Sequence, residues 1–132
     1  MEMKVRFPGN RRVDAEFEGF TVQTDQPVAA GGDGTAPSPF GLFLASLATC
    51  SGYYVLAFCS KRDIPTDEIT LDLSVVRDPE RRMLSQVTID IRLPSSFPEQ
   101  YVGACIKAAS QCAVKKHLVD APEIVLQTSR GD

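Results

Sequence analysis

The sequence predicts an α+β fold in two layers, an antiparallel sheet packed on two central helices, and three observations predict it. Several short segments alternate apolar and polar side chains, the pattern of strands with one buried face. Two longer segments, one uncharged from Gly34 to Ser60 and one from about Pro98 to Leu118, have the length and composition of helices. At 132 residues the chain is large enough for one hydrophobic core and short for two, so residues 1–132 are expected to form a single domain.

Each element follows from its side chains. Met3, Val5 and Phe7 alternate with Lys4 and Arg6, and Val13, Ala15 and Phe17 alternate with Asp14, Glu16 and Glu18, giving two strands joined by a turn at Pro8-Gly9-Asn10. Phe20 to Thr24 reads as a third strand. Asp25 to Pro37, with its glycines and alanines, reads as a flexible connector; Gly31-Gly32-Asp33-Gly34 shares only glycine content with phosphate-cradling loops and has no lysine. Ser38 and Pro39 suit a cap and first helical position, and the helix should run to about Arg62, before Pro65 stops it. Ile69, Leu71, Leu73 and Val75 then face one way against Thr70, Asp72 and Ser74. Val87, Ile89, Ile91 and Leu93 repeat the pattern after a turn at Asp78-Pro79-Glu80, which makes a hairpin. A second helix is expected from Pro98-Glu99 to Leu118, closed by Ala121-Pro122, and Glu123 to Thr128 supply a last strand.

The first helix is apolar nearly all round. Its length raises the question of a membrane span, but Pro37, Ser38, Pro39, Gly41, Ser46, Thr49, Ser51 and Gly52 dilute the run, and amphipathic strands flank it. A helix buried in a small core and against a second copy of the chain explains the same composition, so a homodimer and no membrane are expected.

Composition narrows the function classes. Apolar residues at 43% and charged residues at 23% describe an ordinary globular chain and exclude a disordered one. The net charge of -3, without a run of lysine or arginine, argues against nucleic acid. The N-terminal residues alternate charged and apolar groups and lack the apolar core of a secretory signal, so a cytoplasmic location is expected.

The four cysteines carry the chemistry. Cys50 and Cys59, nine apart on one helix, fall on opposite faces at about 100° per residue. Cys105 and Cys112, seven apart, return to one face but stand about 10 Å apart along a continuous helix, too far to bond. Any intrachain disulfide must therefore join one helix to the other, and in a reducing compartment it would serve chemistry more than stability. Inert core thiols are the other reading of the same spacing. No cysteines stand two to four apart, as zinc sites require, so no metal is expected. His117, five residues past Cys112, points away from that thiol on a continuous helix and reads as an ordinary surface residue. Ser38 and Ser46 have no neighbouring base to activate them.

Gly32-Asp33-Gly34-Thr35-Ala36-Pro37-Ser38-Pro39, leading into Leu42-Phe43-Leu44-Ala45-Ser46-Leu47-Ala48-Thr49-Cys50, resembles the glycine-rich loop and cysteine-bearing helix of the OsmC/Ohr superfamily. Ala108-Ala109-Ser110-Gln111-Cys112-Ala113-Val114 resembles its second cysteine motif, and the order of elements matches along nearly the whole chain. The resemblance implies an intertwined homodimer with sites at the subunit interface. It also implies a thiol peroxidase acting on organic hydroperoxides: Cys50 as nucleophile, Cys112 as resolving thiol, an external dithiol as reductant and no cofactor. Cys59 and Cys105 are left as core residues. In that family an arginine of the first hairpin lowers the thiol pKa; Arg11, with Arg12 beside it, matches the position. The glutamate that holds the arginine is Phe40 here, and Ala113 stands where many members have proline, which brings the chain closer to the OsmC-like (YhfA-like) branch. Two other functions fit the same sequence. One is a non-catalytic module binding a hydrophobic small molecule at the dimer interface, beside Phe40, Phe43, Tyr53 and Tyr54; the other is a redox sensor.

Overall fold

The computed structural model describes residues 1–131. These form two compact units, residues 1–46 and residues 47 onward, and each is built from its own antiparallel sheet. The single sheet expected from the sequence is thus two sheets, because its strands find their hydrogen-bonding partners only within their own unit.

The first unit holds β1 (Lys4–Gly9), β2 (Arg12–Phe17) and β3 (Phe20–Thr24), in that spatial order. The turn from β1 to β2 is Asn10-Arg11, with Asn10 at a left-handed φ of 47°. Glu18 and Gly19, both with positive φ, make the two-residue turn that sets Phe17 opposite Phe20. The following loop is pinned. The buried Asp25 carboxylate accepts bonds from the Thr35 hydroxyl (2.7 Å), the Thr35 amide (3.0 Å) and the Gln26 amide (2.7 Å), which together hold its pKa down from 3.8 to about 2. Gly32 and Gly34 donate back to the carbonyls of Pro27 and Gln26, so the connector read from the sequence is an ordered loop. It contains a short 3-10 turn at Val28–Ala30.

Helix α1 spans Pro39–Ser60. Ser38 caps it by accepting the Gly41 amide at 3.1 Å, with Pro39 in the first helical position as expected. The helix stops two residues before the expected end, since Arg62 and Ile64 turn back to the Cys59 carbonyl and Asp63 takes a φ of 54°. By length and composition α1 could cross a bilayer, yet it buries one stripe of Leu47, Ser51, Val55, Phe58 and Cys59.

In the second unit β4 (Thr70–Arg77) pairs with β5 (Leu84–Arg92), placing Leu71 opposite Ile91, Leu73 opposite Ile89 and Val75 opposite Val87. Asp72 and Asp90 face each other on the outer side, and Arg92 relieves that repulsion by pairing with both. Val55, Phe58, Cys59, Phe97, Cys105 and Ala109 form the core, with Ile69 and Ile91 of the hairpin side packed against it. The second helix is broken. A 3-10 turn at Glu99–Tyr101 leads into α2 (Val102–Ala109), and α3 (Ala113–Val119) starts afresh after a gap. The last strand expected at Glu123 to Thr128 does not form among the described residues: these residues are exposed and belong to neither sheet, so their backbone groups are left to solvent.

A candidate thiol active site

Cys50 lies in the middle of α1, one turn beyond Leu47 at the edge of the buried stripe, and is half-buried. Its surroundings come from the break between α2 and α3. There the Ser110 hydroxyl donates to the Lys107 carbonyl at 2.6 Å, the Gln111 amide bonds to Ala108, and Cys112 leaves the helical region with φ -49° and ψ 121°. Cys112 consequently caps α3, its sulfur accepting the Lys115 amide at 3.4 Å. The same break invalidates the continuous-helix geometry for Cys105 and Cys112, which sit on different sides of it.

The opening turn of α3 faces Cys50. The Val114 amide has the largest effect on the Cys50 sulfur, drawing its pKa below the ordinary thiol value; partial burial opposes it, and the Cys112 thiol and Ala113 amide add to it. Cys112, 1% exposed, thus accepts from Lys115 and donates to Cys50. Two cysteines 62 positions apart in sequence are thus neighbours, and the Cys112 thiol is one of the groups that favour the Cys50 anion. All four cysteines are free. Such an arrangement suits two-electron chemistry at Cys50 followed by disulfide closure onto Cys112.

The other residues singled out by the sequence are each held by local contacts of their own. Arg11 is exposed in the β1–β2 turn, its guanidinium against Gly31: a Cβ added there would stand 3.5 Å from Nε. Asn10 anchors this turn by donating to the Gly31 carbonyl and the Asp33 carboxylate, at 3.2 and 3.1 Å. Phe40 and Phe43 meet at the start of α1 with their rings tilted by 38°, and Tyr53 and Tyr54 meet edge to face further along it. His117 is exposed and bonded through Nδ1 to the Ala113 carbonyl at 2.7 Å, in line with a surface role. Among the described residues, no three His, Cys, Asp or Glu side chains group as metal ligands would.

Sequence reasoning missed the backbone amides of Ala113 and Val114, since an amide has no residue identity to read. It also missed Asp25, whose only signal was an acidic residue closing a strand before a glycine-rich loop. Cys59 and Cys105 are buried, as expected, but they also touch: the Cys105 thiol bonds to the Cys59 sulfur.

Comparison with known proteins agrees with this architecture. A solved protein from Psychrobacter arcticus 273-4, described as an osmotic stress induced and detoxification response protein, is 27% identical, with a TM-score of 0.74 over 86% of this chain and 85% of that one. An OsmC-like protein from Mycoplasma pneumoniae superposes with a TM-score of 0.71 at 14% identity, covering 91% and 87% of the two chains. The organic hydroperoxide resistance protein OhrB of Bacillus subtilis is similar in fold at a TM-score of 0.53 and 21% identity, covering 89% and 90%. No curated protein matches the sequence. The family model described as OsmC-like protein matches residues 32–127, a span that holds both Cys50 and Cys112, and the chain therefore belongs to the OsmC-like family.

Proposed function

We propose that the protein is a thiol peroxidase that reduces organic hydroperoxides, with Cys50 as nucleophile and Cys112 as resolving thiol. The observation that carries this reading is the Cys112 thiol donating to a Cys50 sulfur that two α3 amides also face. The Cys50 thiolate attacks the terminal peroxide oxygen; the O–O bond breaks, Cys50 becomes a sulfenic acid, and the alkoxide leaves as an alcohol after taking a proton. Cys112 then attacks the Cys50 sulfur, releasing water and closing a disulfide. An external dithiol returns both thiols, and the cycle needs no metal or organic cofactor. Arg11 is our candidate for a cation assisting the attack; the anchoring of its neighbour Asn10 supports a turn that holds it in place.

The working assembly in this reading is a homodimer in the cytoplasm, in which both compact units serve one OsmC-like domain. Its support is apolar surface left uncovered within each unit: Val5 and Phe7 on β1 in the first, and Tyr53, Leu56, Ile124 and Leu126 in the second. The family match running across the boundary between the units, residues 32–127, supports one domain.

Pre-reduced protein with dithiothreitol and tert-butyl hydroperoxide tests the reading. Peroxide loss should continue for many turnovers and fall to background in Cys50→Ser. Cys112→Ser should accumulate a Cys50 sulfenic acid that dimedone traps. Equal peroxide loss with the native protein and with Cys50→Ser would rule the peroxidase out.

A further inference from the structure

We propose that Cys59 and Cys105 are a second redox-active dithiol, a modification site whose disulfide ties α1 to α2 independently of Cys50 and Cys112. Both side chains are fully buried, at 0% exposure, inside the core between these helices, and their sulfurs share a hydrogen bond. The four cysteines thus make two rungs between α1 and the α2–α3 segment, Cys50 with Cys112 and Cys59 with Cys105. The rungs are about 13 Å apart along α1, too far for thiols of one to exchange with a disulfide of the other.

The local chemistry divides the labour within the pair. Desolvation is the largest effect on both thiols and raises both above their ordinary value. Cys59 is the less hindered, because it accepts the Cys105 S–H and lies near the Arg62 guanidinium. Arg62 itself sits 3.7 Å over the Phe58 ring and 5.5 Å from that of Tyr101, and donates to the Phe58 carbonyl. Cys59 is therefore the attacking sulfur. Its thiolate takes the terminal oxygen of an organic hydroperoxide, giving a sulfenic acid and an alcohol; Cys105 displaces water from it and forms the disulfide. One hydroperoxide is reduced by two electrons and two thiols are oxidised.

The same burial that keeps this rung protonated makes it slow. Cys59 is the penultimate residue of α1 and α2 has only eight residues, so local opening of helix ends is the route by which oxidant reaches the sulfurs. The second rung responds to prolonged exposure rather than to each encounter.

The test uses the Cys50→Ser/Cys112→Ser double variant, whose only thiols are Cys59 and Cys105. After hours in excess tert-butyl hydroperoxide, both thiols should become untitratable, with a Cys59–Cys105 cross-linked peptide in a non-reducing digest. The melting temperature should rise by about 10 °C, as closing a loop of some 46 residues implies, and dithiothreitol should reverse the rise. Two thiols still titratable, sulfinic acids in place of the cross-link, or only intermolecular bonds would overturn the proposal. If the double variant does not fold, the native protein under the same exposure must lose four thiols and give this cross-link; its absence there overturns the proposal equally. Failure of the peroxidase reading would be read separately, from the peroxide-consumption assay on native protein.

Discussion

A thiol is a poor nucleophile at neutral pH until something favours its anion. At Cys50 that help comes first from the amide of Val114 and also from the Cys112 thiol and the Ala113 amide, against the penalty of partial burial. Reactivity should therefore climb with pH and level off at a lower pH than for a free thiol, whose pKa is about 8.5. Ala113 allows one of these donors to be removed alone. Proline is tolerated at the first position of a helix, and the ψ of 121° at Cys112 before it lies outside the helical region that proline disfavours in its predecessor. Ala113→Pro should keep α3 and lose the amide, slowing Cys50 alkylation at neutral pH about fivefold, the worth of about one hydrogen bond, and moving the rate profile to higher pH. An unchanged profile would mean that this amide does not act on Cys50. The cysteines themselves were legible through the family's two motifs. Their donors were not, and Ala113 was visible only as a departure from proline.

At the scale of elements, alternation of period two located β1, β2 and the β4–β5 hairpin, because apolar side chains at every second position share one face of a strand and a slip of one residue would move them to the other. The break before α3 left no comparable mark. Ala108 to Val114 contains neither glycine nor proline, and cysteine is not among the usual capping residues, so the local bonds made by Ser110, Gln111 and Cys112 at the break had no signal in the sequence. The segment after Ala121 was read as a strand from Ile124-Val125-Leu126, but apolar side chains do not make a strand without a neighbour to bond. The glycine loop was underestimated for a related reason, since its order depends on Asp25. Gly32 is the element's tightest point: a Cβ there would fall 2.0 Å from the Gln26 carbonyl oxygen, a backbone atom that cannot step aside. Gly32→Ala should cost on the order of 2–3 kcal/mol in a denaturant titration. Gly103→Ala, in α2 with nothing within 4 Å of the new methyl, should instead stabilise by about 0.5–1 kcal/mol. Equal effects at the two glycines would contradict this account of the loop.

At the scale of the molecule, the fold class and the order of its elements followed from periodicity, while the division into two sheets did not, because pairing partners are a property of the folded chain. Within the second unit, α1 and the α2–α3 segment bring cysteines together twice, once half-exposed with amide donors and once sealed in the core. Burial thus separates one fast thiol pair from one slow one in the same scaffold. The most direct measurement of the central claim is thiol mapping after one equivalent of tert-butyl hydroperoxide is mixed briefly with fully reduced protein and quenched by alkylation. The account predicts a Cys50–Cys112 cross-linked peptide, one alcohol formed per bond, and Cys59 and Cys105 recovered alkylated. Recovery of Cys50 and Cys112 as separate alkylated thiols, with the hydroperoxide intact, would contradict it.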